Sequence, residues 1–121
     1  MTESLDIDAP RARTLDLGVG QTPRRALLAG PPETAGIRSG LVVLAAGESV
    51  GRHTTGSREE VIVVLEGCGE VRVDGAATLT VGTETAAYVP PGTGHDVVNS
   101  GEGPLRYVYV VAEAGGAGPG R

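Results

Sequence analysis

The sequence predicts an all-β protein in which antiparallel strands form a sandwich or a closed barrel. Short apolar segments follow one another from Ser39 onward, and a Gly or Pro turn signal separates each segment from the next. Strands that recur about every 8–12 residues between such turns are typical of sandwiches and barrels. No ten-residue window shows helical periodicity. Because the chain has three Tyr and neither Phe nor Trp, Val, Leu, Ile and Ala must fill the core, and such side chains pack well on pleated sheets.

The bounds of the predicted strands come from the turn residues between them. Gly47 and Gly67 follow the first two strands, and Gly75 belongs to an Asp-Gly pair that favours a two-residue type I′ hairpin. This hairpin would pair Glu70–Val73 with Ala76–Leu79. The predicted strands are Ser39–Ala45, Glu60–Leu65, Glu70–Val73, Thr78–Val81, Ala86–Val89, His95–Asn99 and Leu105–Ala112.

A chain of 121 residues supplies one core of ordinary size and therefore predicts one domain. Residues 1–36 are expected to form an N-terminal arm with short edge strands over Thr14–Leu17 and Arg25–Ala29, because Gly and Pro interrupt the sequence around them. Residues 37–113 would form the barrel. Residues 114–121 offer nothing to bury and are predicted to be disordered.

Composition excludes several classes of protein. The net charge is −5, and the ten Arg form no cluster of the kind that binds nucleic-acid backbones. The single cysteine, Cys68, permits no internal disulfide. The acidic N-terminus lacks the apolar segment of a signal peptide, and the apolar runs are too short to cross a membrane. We therefore expect a cytoplasmic protein that binds neither nucleic acid nor membranes.

The strand Glu60–Leu65 is apolar on both faces. Strict alternation places Ile62 and Val64 on the face of Glu60, and Val61 and Val63 on the opposite face. A strand of this kind is covered on both sides. A second sheet would cover one side, and the N-terminal arm or a partner subunit the other. Because so small a domain has little else to cover an outer face, the pattern predicts a homodimer.

Three side chains, those of His53, Glu60 and His95, are candidate metal ligands. Imidazole and carboxylate groups are the usual ligands of Zn, Fe, Mn, Ni and Cu, and two histidines with one carboxylate leave positions open for substrate or oxygen. We expect His53 and Thr55 to share a strand face. After a bend at Gly56-Ser57, Glu60 would return beside them as the second arm of a hairpin.

The spacing of these residues resembles the two sequence motifs of the cupin superfamily of small β-barrels. The first family motif is Gly, five residues, His-x-His, three or four residues, Glu, six residues and Gly. The second is Gly, five residues, Pro-x-Gly, two residues, His, three residues and Asn. The resemblance covers residues 41–112, and in this chain the motifs read Gly47-x5-His53-x-Thr55-x4-Glu60-x6-Gly67 and Pro90-x-Gly92-x2-His95-x3-Asn99.

The resemblance implies an antiparallel jelly-roll barrel that binds a divalent metal, such as Fe, Mn, Ni or Zn, inside it. Carried over from the motifs, the ligands are His53, Glu60 and His95. The motif selects Glu60 over Glu59, because only Glu60 leaves six residues before the closing glycine. Strand alternation agrees, since Glu59 would point outward.

The chain departs from the family motifs at two positions. Thr55 stands in place of the second histidine, so it either replaces a ligand or orients a metal-bound water through its hydroxyl. The glycine that opens the second motif falls at Glu84, with Gly82 two residues earlier.

Other polar side chains have less specific positions. The three tyrosines are typical of core or dimer packing, with a place in the cavity wall as the alternative for Tyr107 and Tyr109. Arg72 and Arg106 would bind an anionic substrate if they faced inward, but we expect them on the surface. Asp96 alternates with His95 and is expected to face away from the site.

Two functions agree with these residues. In the first, the chain is a dioxygenase, isomerase or cyclase whose divalent metal polarises an oxygen ligand or activates dioxygen. In the second, it is a non-catalytic module that binds or senses a small molecule, with a weakened or lost metal site, since one fold supports both kinds of function. The sequence offers no obvious general acid or base beyond the ligands, which disfavours hydrolysis. For the enzyme, the aliphatic lining predicts a small, partly apolar substrate.

Overall fold

Two antiparallel sheets pack against each other in this computed structural model, which describes residues 10–18 and 22–115. The apolar core lies between the sheets and draws side chains from both of them. The strands are β1 Arg24–Ala29, β2 Arg38–Leu44, β3 His53–Thr54, β4 Arg58–Glu66, β5 Cys68–Val73, β6 Leu79–Gly82, β7 Ala86–Val89, β8 Gly94–Val98 and β9 Leu105–Glu113.

The strand order defines a jelly roll. One sheet has the order β1-β2-β9-β4-β7, and the other has the order β3-β8-β5-β6. From β7 to β9 each strand joins the sheet that the preceding strand does not belong to. This alternation wraps the chain around a common interior. The predicted all-β, antiparallel jelly-roll fold is therefore confirmed.

The core follows from the two-residue period of the strands. Ile62 of β4, Val71 of β5 and Leu105 of β9 are each 0% exposed, and they pack in one cluster that joins the two sheets. Burial of such a side chain contributes about 1.5–3 kcal/mol. Apart from Tyr107, the buried residues of this continuous core are all aliphatic.

The strand predictions from Ser39 onward are confirmed, with ends that differ by no more than two residues. The strand predicted over Arg25–Ala29 is also present as β1, the edge strand of the larger sheet. The local signals were sufficient here because each strand ends at a Gly or Pro turn that cannot continue the ladder.

The edge strand predicted over Thr14–Leu17 was wrong. These residues have no regular secondary structure and belong to no strand. Carbonyl groups here accept hydrogen bonds from side chains, with Leu17 bound by Arg106 at 3.0 Å and Gly18 bound by Arg25 at 3.0 Å. Arginine side chains therefore satisfy carbonyls that a strand would have paired. Of the predicted tail, residues 116–121 lie outside the described residues.

A turn forms at Asp74-Gly75 as predicted, but its type differs from the prediction. Type I′ requires positive φ at both central residues, and only Gly75 has it, at 70°. The ladder pairs Val71 with Leu79. The predicted pairing of Glu70–Val73 with Ala76–Leu79 was therefore wrong by one residue in register.

Glu84 has a positive φ of 72°, and no other non-glycine residue in the described part of the chain does. It lies in a turn that the amide of Thr85 closes on the carbonyl of Gly82 at 3.0 Å. Positive φ at the third position of such a turn favours glycine. Glu84, at the position where the family motif has glycine, thus adopts a backbone conformation that glycine takes more readily.

The described part of the chain contains no helix with the length and hydropathy needed to cross a membrane.

Candidate metal centre

His53, Glu60 and His95 come together in the structure. Each offers one ligand atom, and these atoms all lie within 4.8 Å of one another. Glu60 and His95 are buried, at 7% and 1% exposure, while His53 is exposed at the mouth. The distant His95 thus joins His53 and Glu60, which are seven positions apart in the sequence, at one place.

Both sheets contribute to this cluster. His53 of β3 is the direct partner of His95 of β8, and their ring centroids lie 4.3 Å apart at an interplanar angle of 55°. Glu60 comes from β4, which belongs to the opposite sheet. The expectation that His53 and Glu60 occupy two arms of one hairpin was wrong, because the chain changes sheet at the turn that includes Gly56, whose φ is 60°.

Backbone carbonyls orient both imidazole rings. The Nδ1 atom of His95 lies 3.1 Å from the carbonyl oxygen of Thr93, and that of His53 lies 2.9 Å from the carbonyl oxygen of Gly51. A carbonyl only accepts, so each Nδ1 carries the proton and donates it. In the neutral ring the Nε2 lone pair is then free, which is how metal-binding histidines are usually held.

The geometry between His95 and Glu60 fits a bound cation. The Nε2 atom of His95 lies 2.8 Å from the Oε1 atom of Glu60. If the imidazole is neutral, two acceptors face each other, and a proton or a cation must lie between them. Two imidazoles and one carboxylate suit Zn, Fe, Mn or Ni. The residues present therefore fit the divalent metal that the sequence motifs imply.

The two neighbouring glutamates of β4 point to opposite sides of the sheet. Glu60 faces the interior, and the carboxylate of Glu59 accepts a hydrogen bond of 2.7 Å from the hydroxyl of Tyr88 on the outer face. Strand alternation places them as the sequence predicted. Asp96 likewise faces away from the cluster and accepts a bond of 2.9 Å from the amide of Gly51.

Thr55 connects the loops that carry the two motifs. Its hydroxyl donates to the carbonyl of Pro90 at 2.7 Å and accepts from the amide of Thr93 at 3.0 Å. The amide of Gly92 also donates to the carbonyl of Gly56 at 2.8 Å. Because Thr93 in turn binds the ring of His95, the Thr55 hydroxyl helps to position that imidazole.

A cavity of about 530 Å³ opens beside the cluster. Tyr107 and Tyr109 line it, in agreement with the alternative role predicted for them. Arg72 and Arg106 lie outside it, beside Glu70 and Glu66, as expected for surface residues. The wall is formed by Arg24, Arg25, Ala26, Leu41, Val42, Val50, Gly51, Arg52, His53, Thr54, Thr55, Arg58, Glu60, Val97, Tyr107, Tyr109 and Val111.

Two pKa shifts describe the electrostatics of this region. Burial raises the pKa of Tyr107 far above its ordinary value, and the negative charge of Glu60 adds to that effect. The phenol therefore stays neutral and can donate a hydrogen bond into the cavity. At the outer rim, the hydrogen bond from Arg52 lowers the pKa of the Asp74 carboxyl, so this ion pair persists at neutral pH.

Sequence reasoning missed the arginines of the cavity wall. Arg24 and Arg58 line the cavity, yet the sequence analysis gave neither of them a place in the site. In a strand, side-chain alternation places Arg24 and Ala26 on one face and Arg25 on the other. This alternation was the signal available in the sequence. It does not tell which of the two faces is turned inward.

The family follows from a comparison with known sequences. Residues 40–111 match the family profile described as "Cupin domain". The match spans more than half of the chain and includes both motifs. The chain belongs to the cupin domain family, as its motifs predicted. Among curated proteins, none matches it significantly.

Solved structures share the fold. The Cupin 2 conserved barrel domain protein of Salinispora arenicola is 26% identical over 94% of this chain and 89% of that one, with a TM-score of 0.65. A cupin domain of Schizosaccharomyces pombe is 23% identical over 77% of this chain, with a TM-score of 0.67, and this chain spans 66% of its length. A predicted oxalate decarboxylase of Thermotoga maritima is 14% identical over 84% of this chain and 99% of that one, with a TM-score of 0.62. The last two likenesses show the fold alone.

Proposed function

We propose that this chain is a metal-dependent cupin that acts on a small molecule, with a divalent ion held by His53, Glu60 and His95. The observation that carries the proposal is the convergence of their three ligand atoms within 4.8 Å, beside a cavity of about 530 Å³. Pockets of about 300–1,000 Å³ are of a size that takes small molecules.

The arrangement assigns a part to each residue. When bound, the ion would supply Lewis acidity that polarises an oxygen of the substrate. Burial holds Glu60 and His95 in position. His53, the strand partner of His95, provides the third ligand from an exposed position. Tyr107 offers a neutral phenol that donates to a substrate oxygen. Three protein ligands leave other positions around an ion open to substrate.

The reaction we favour is that of a dioxygenase, isomerase or cyclase rather than a hydrolase. Within the described cavity wall, the only carboxylate and imidazole groups are Glu60 and His53, which are themselves proposed ligands. A hydrolase needs a further group to move protons during the reaction. Small diketones, enediols and oxalate are the first substrates to test, the last because of the fold shared with the Thermotoga protein.

The test is the metal content of protein purified without a polyhistidine tag. We expect one equivalent of iron, manganese, nickel or zinc in the wild type, and loss of it in His53→Ala, Glu60→Gln and His95→Ala. Glu59→Gln is the matched control, since it removes the same charge from the opposite face of β4. His53 is exposed, so His53→Ala should fold normally and report on the metal alone. Wild-type protein that stays metal-free after loading would exclude the proposal.

The second candidate is a binding or sensing module without catalysis. It is favoured because the described cavity wall holds no carboxylate or imidazole other than the proposed ligands Glu60 and His53. Oxygen uptake and product analysis with the substrates named above distinguish the two. Metal-loaded protein that binds such a molecule and returns it unchanged would support the binding module.

A further inference from the structure

The cavity wall carries positive charge in a chain that is negative as a whole. The net charge of the chain is −5, yet Arg24, Arg52 and Arg58 line the described wall beside a single acidic residue, Glu60. Arg25 also borders the cavity, but its guanidinium binds the carbonyl of Gly18. A divalent ion bound by His53, Glu60 and His95 would add further positive charge beside this wall. Positive potential inside a low-dielectric cleft attracts anions.

Arg24 differs from Arg52 and Arg58 in its partner. Arg52 and Arg58 form ion pairs with Asp74 and Glu113, and a paired carboxylate offsets their charge. The guanidinium of Arg24 instead donates from Nη2 to the carbonyl oxygen of Val50 at 3.1 Å. A carbonyl is neutral, so this bond fixes the side chain without cancelling its charge.

The position of Arg24 directs it to the cavity. It pairs with Val42 across the β1–β2 ladder, and Val42 is 3% exposed in the core. Paired residues share a face of the sheet, so Arg24 lies on the inner face. Its acceptor, Val50, immediately precedes Gly51, whose carbonyl orients the ring of His53. The guanidinium is therefore held beside the segment that carries a proposed ligand.

The rest of the wall suits an apolar group. Val50, Val97 and Val111 line the same cavity, and aliphatic side chains of this kind offer no polar partner to a ligand. Arginine has five N–H donors, and two of them can bind a carboxylate side by side.

We propose that the cavity takes a small organic acid, with its carboxylate bound by Arg24 and its apolar part against the aliphatic wall. This inference rests on the proposed function in that it names the class of molecule for the same cavity. Arg24 acts as a specificity-determining residue, because a carboxylate can accept two charge-assisted hydrogen bonds from its guanidinium, which a neutral analogue of the same shape cannot do.

The test measures the affinity of the protein for 3-methylbutanoate. The amide resonances of the protein are monitored by NMR as the acid is added. Its neutral isostere, 3-methylbutanamide, is the matched ligand, and inorganic phosphate is the comparison anion. We expect the acid to bind about tenfold more tightly than the amide, and Arg24→Gln to remove that difference. Arg24→Lys should retain part of it, because lysine keeps the charge but not the planar fork.

Arg72→Gln is the matched control variant. It makes the same change of charge at an exposed position of β5, outside the cavity, and should leave the affinity for the acid within about twofold of the wild type. The spectra themselves report whether each variant is folded. Equal binding of acid and amide by the wild type, or equal affinities in Arg24→Gln and Arg72→Gln, would overturn the inference. Preference for phosphate over the acid would overturn it as well.

Titration of metal-free and metal-loaded protein separates this inference from the proposed function. Acid binding that depends on Arg24 in a protein that takes up no metal would exclude the metal proposal and support the anion site. A protein that holds one equivalent of metal but binds acid and amide alike would support the metal proposal and overturn the anion site.

Discussion

The Nε2 atom of His95 lies 2.8 Å from the Oε1 atom of Glu60, although the two residues belong to different sheets of the barrel. Both side chains are buried. A cation between them would therefore bridge the two layers as well as their side chains. This relationship links the occupancy of the site to the stability of the whole fold.

Divalent metal is accordingly expected to stabilise the protein against heat. A ligand at 100 times its dissociation constant adds about 2.7 kcal/mol to the free energy of unfolding, on the order of 10 °C in the midpoint for a domain of this size. Differential scanning fluorimetry with added metal, and again with a chelator, measures this shift. Glu60→Gln should abolish it, whereas Glu59→Gln should preserve it. An equal shift in both variants would place the stabilising ion elsewhere.

Thr55 is expected to act through the loops rather than as a ligand. Thr55→Val removes the hydrogen bonds to Pro90 and Thr93, which should cost about 2 kcal/mol in the free energy of unfolding. It should also weaken metal binding roughly 10–100-fold, because the carbonyl of Thr93 orients His95.

Thr55→Ser keeps the hydroxyl and is the control for the loss of the two bonds. Denaturant unfolding gives the free energy of unfolding, and competition with a metal-sensitive dye gives the metal affinity. Metal affinity of Thr55→Val equal to that of the wild type would show that the hydroxyl does not position the site.

Gly67, the glycine that closes the first motif, should be the least replaceable turn residue. Its φ is 86°, and a Cβ atom there would overlap the carbonyl oxygen of Pro104. Gly67→Ala should therefore lower the free energy of unfolding by about 3 kcal/mol or more.

Gly47→Ala separates conformation from overlap. Gly47 has nearly the same φ, 82°, but a Cβ atom there would meet nothing within 4 Å. Its replacement should cost only about 1 kcal/mol. Urea unfolding of the two variants side by side makes the comparison, and equal losses would contradict the overlap with Pro104.

The homodimer remains a prediction, and the structure indicates where it would form. On the outer face of the larger sheet, Val61, Val63 and Tyr88 are 40%, 38% and 53% exposed. Leu41 on the same face is only 3% exposed. It is the strand partner of Arg25, which binds the N-terminal segment at Gly18, as Arg106 does at Leu17. We propose that a second copy of the chain covers the exposed apolar strip.

Val63→Lys should then convert the dimer into a monomer, because a charge at the centre of an apolar interface is costly to bury. Leu79→Lys is the matched control, since Leu79 has a similar exposure of 37% but lies on β6 of the other sheet. Sedimentation velocity measures the mass. Wild-type protein with the mass of a single chain would refute the dimer.

Much of the fold was predictable because its signals are local. A Gly or Pro turn ends each strand, and the two-residue period of strand side chains separates Glu60 from Glu59 without knowledge of any neighbour. The spacing of the motifs also selected His53 and His95, although 42 positions separate them in the sequence. The register at Asp74-Gly75 was missed, because turn type depends on the φ of both residues and the sequence marks only the glycine strongly.

The sequence by itself determined the strands, the family and the three candidate ligands. Only the tertiary structure decided that Glu60 reaches the histidines from the opposite sheet, that Thr55 binds the second motif's loop, and that Arg24 faces the cavity. The physical reason is that periodicity tells which residues share a face of a strand. The direction of that face, and the residues that meet there, depend on how the two sheets pack.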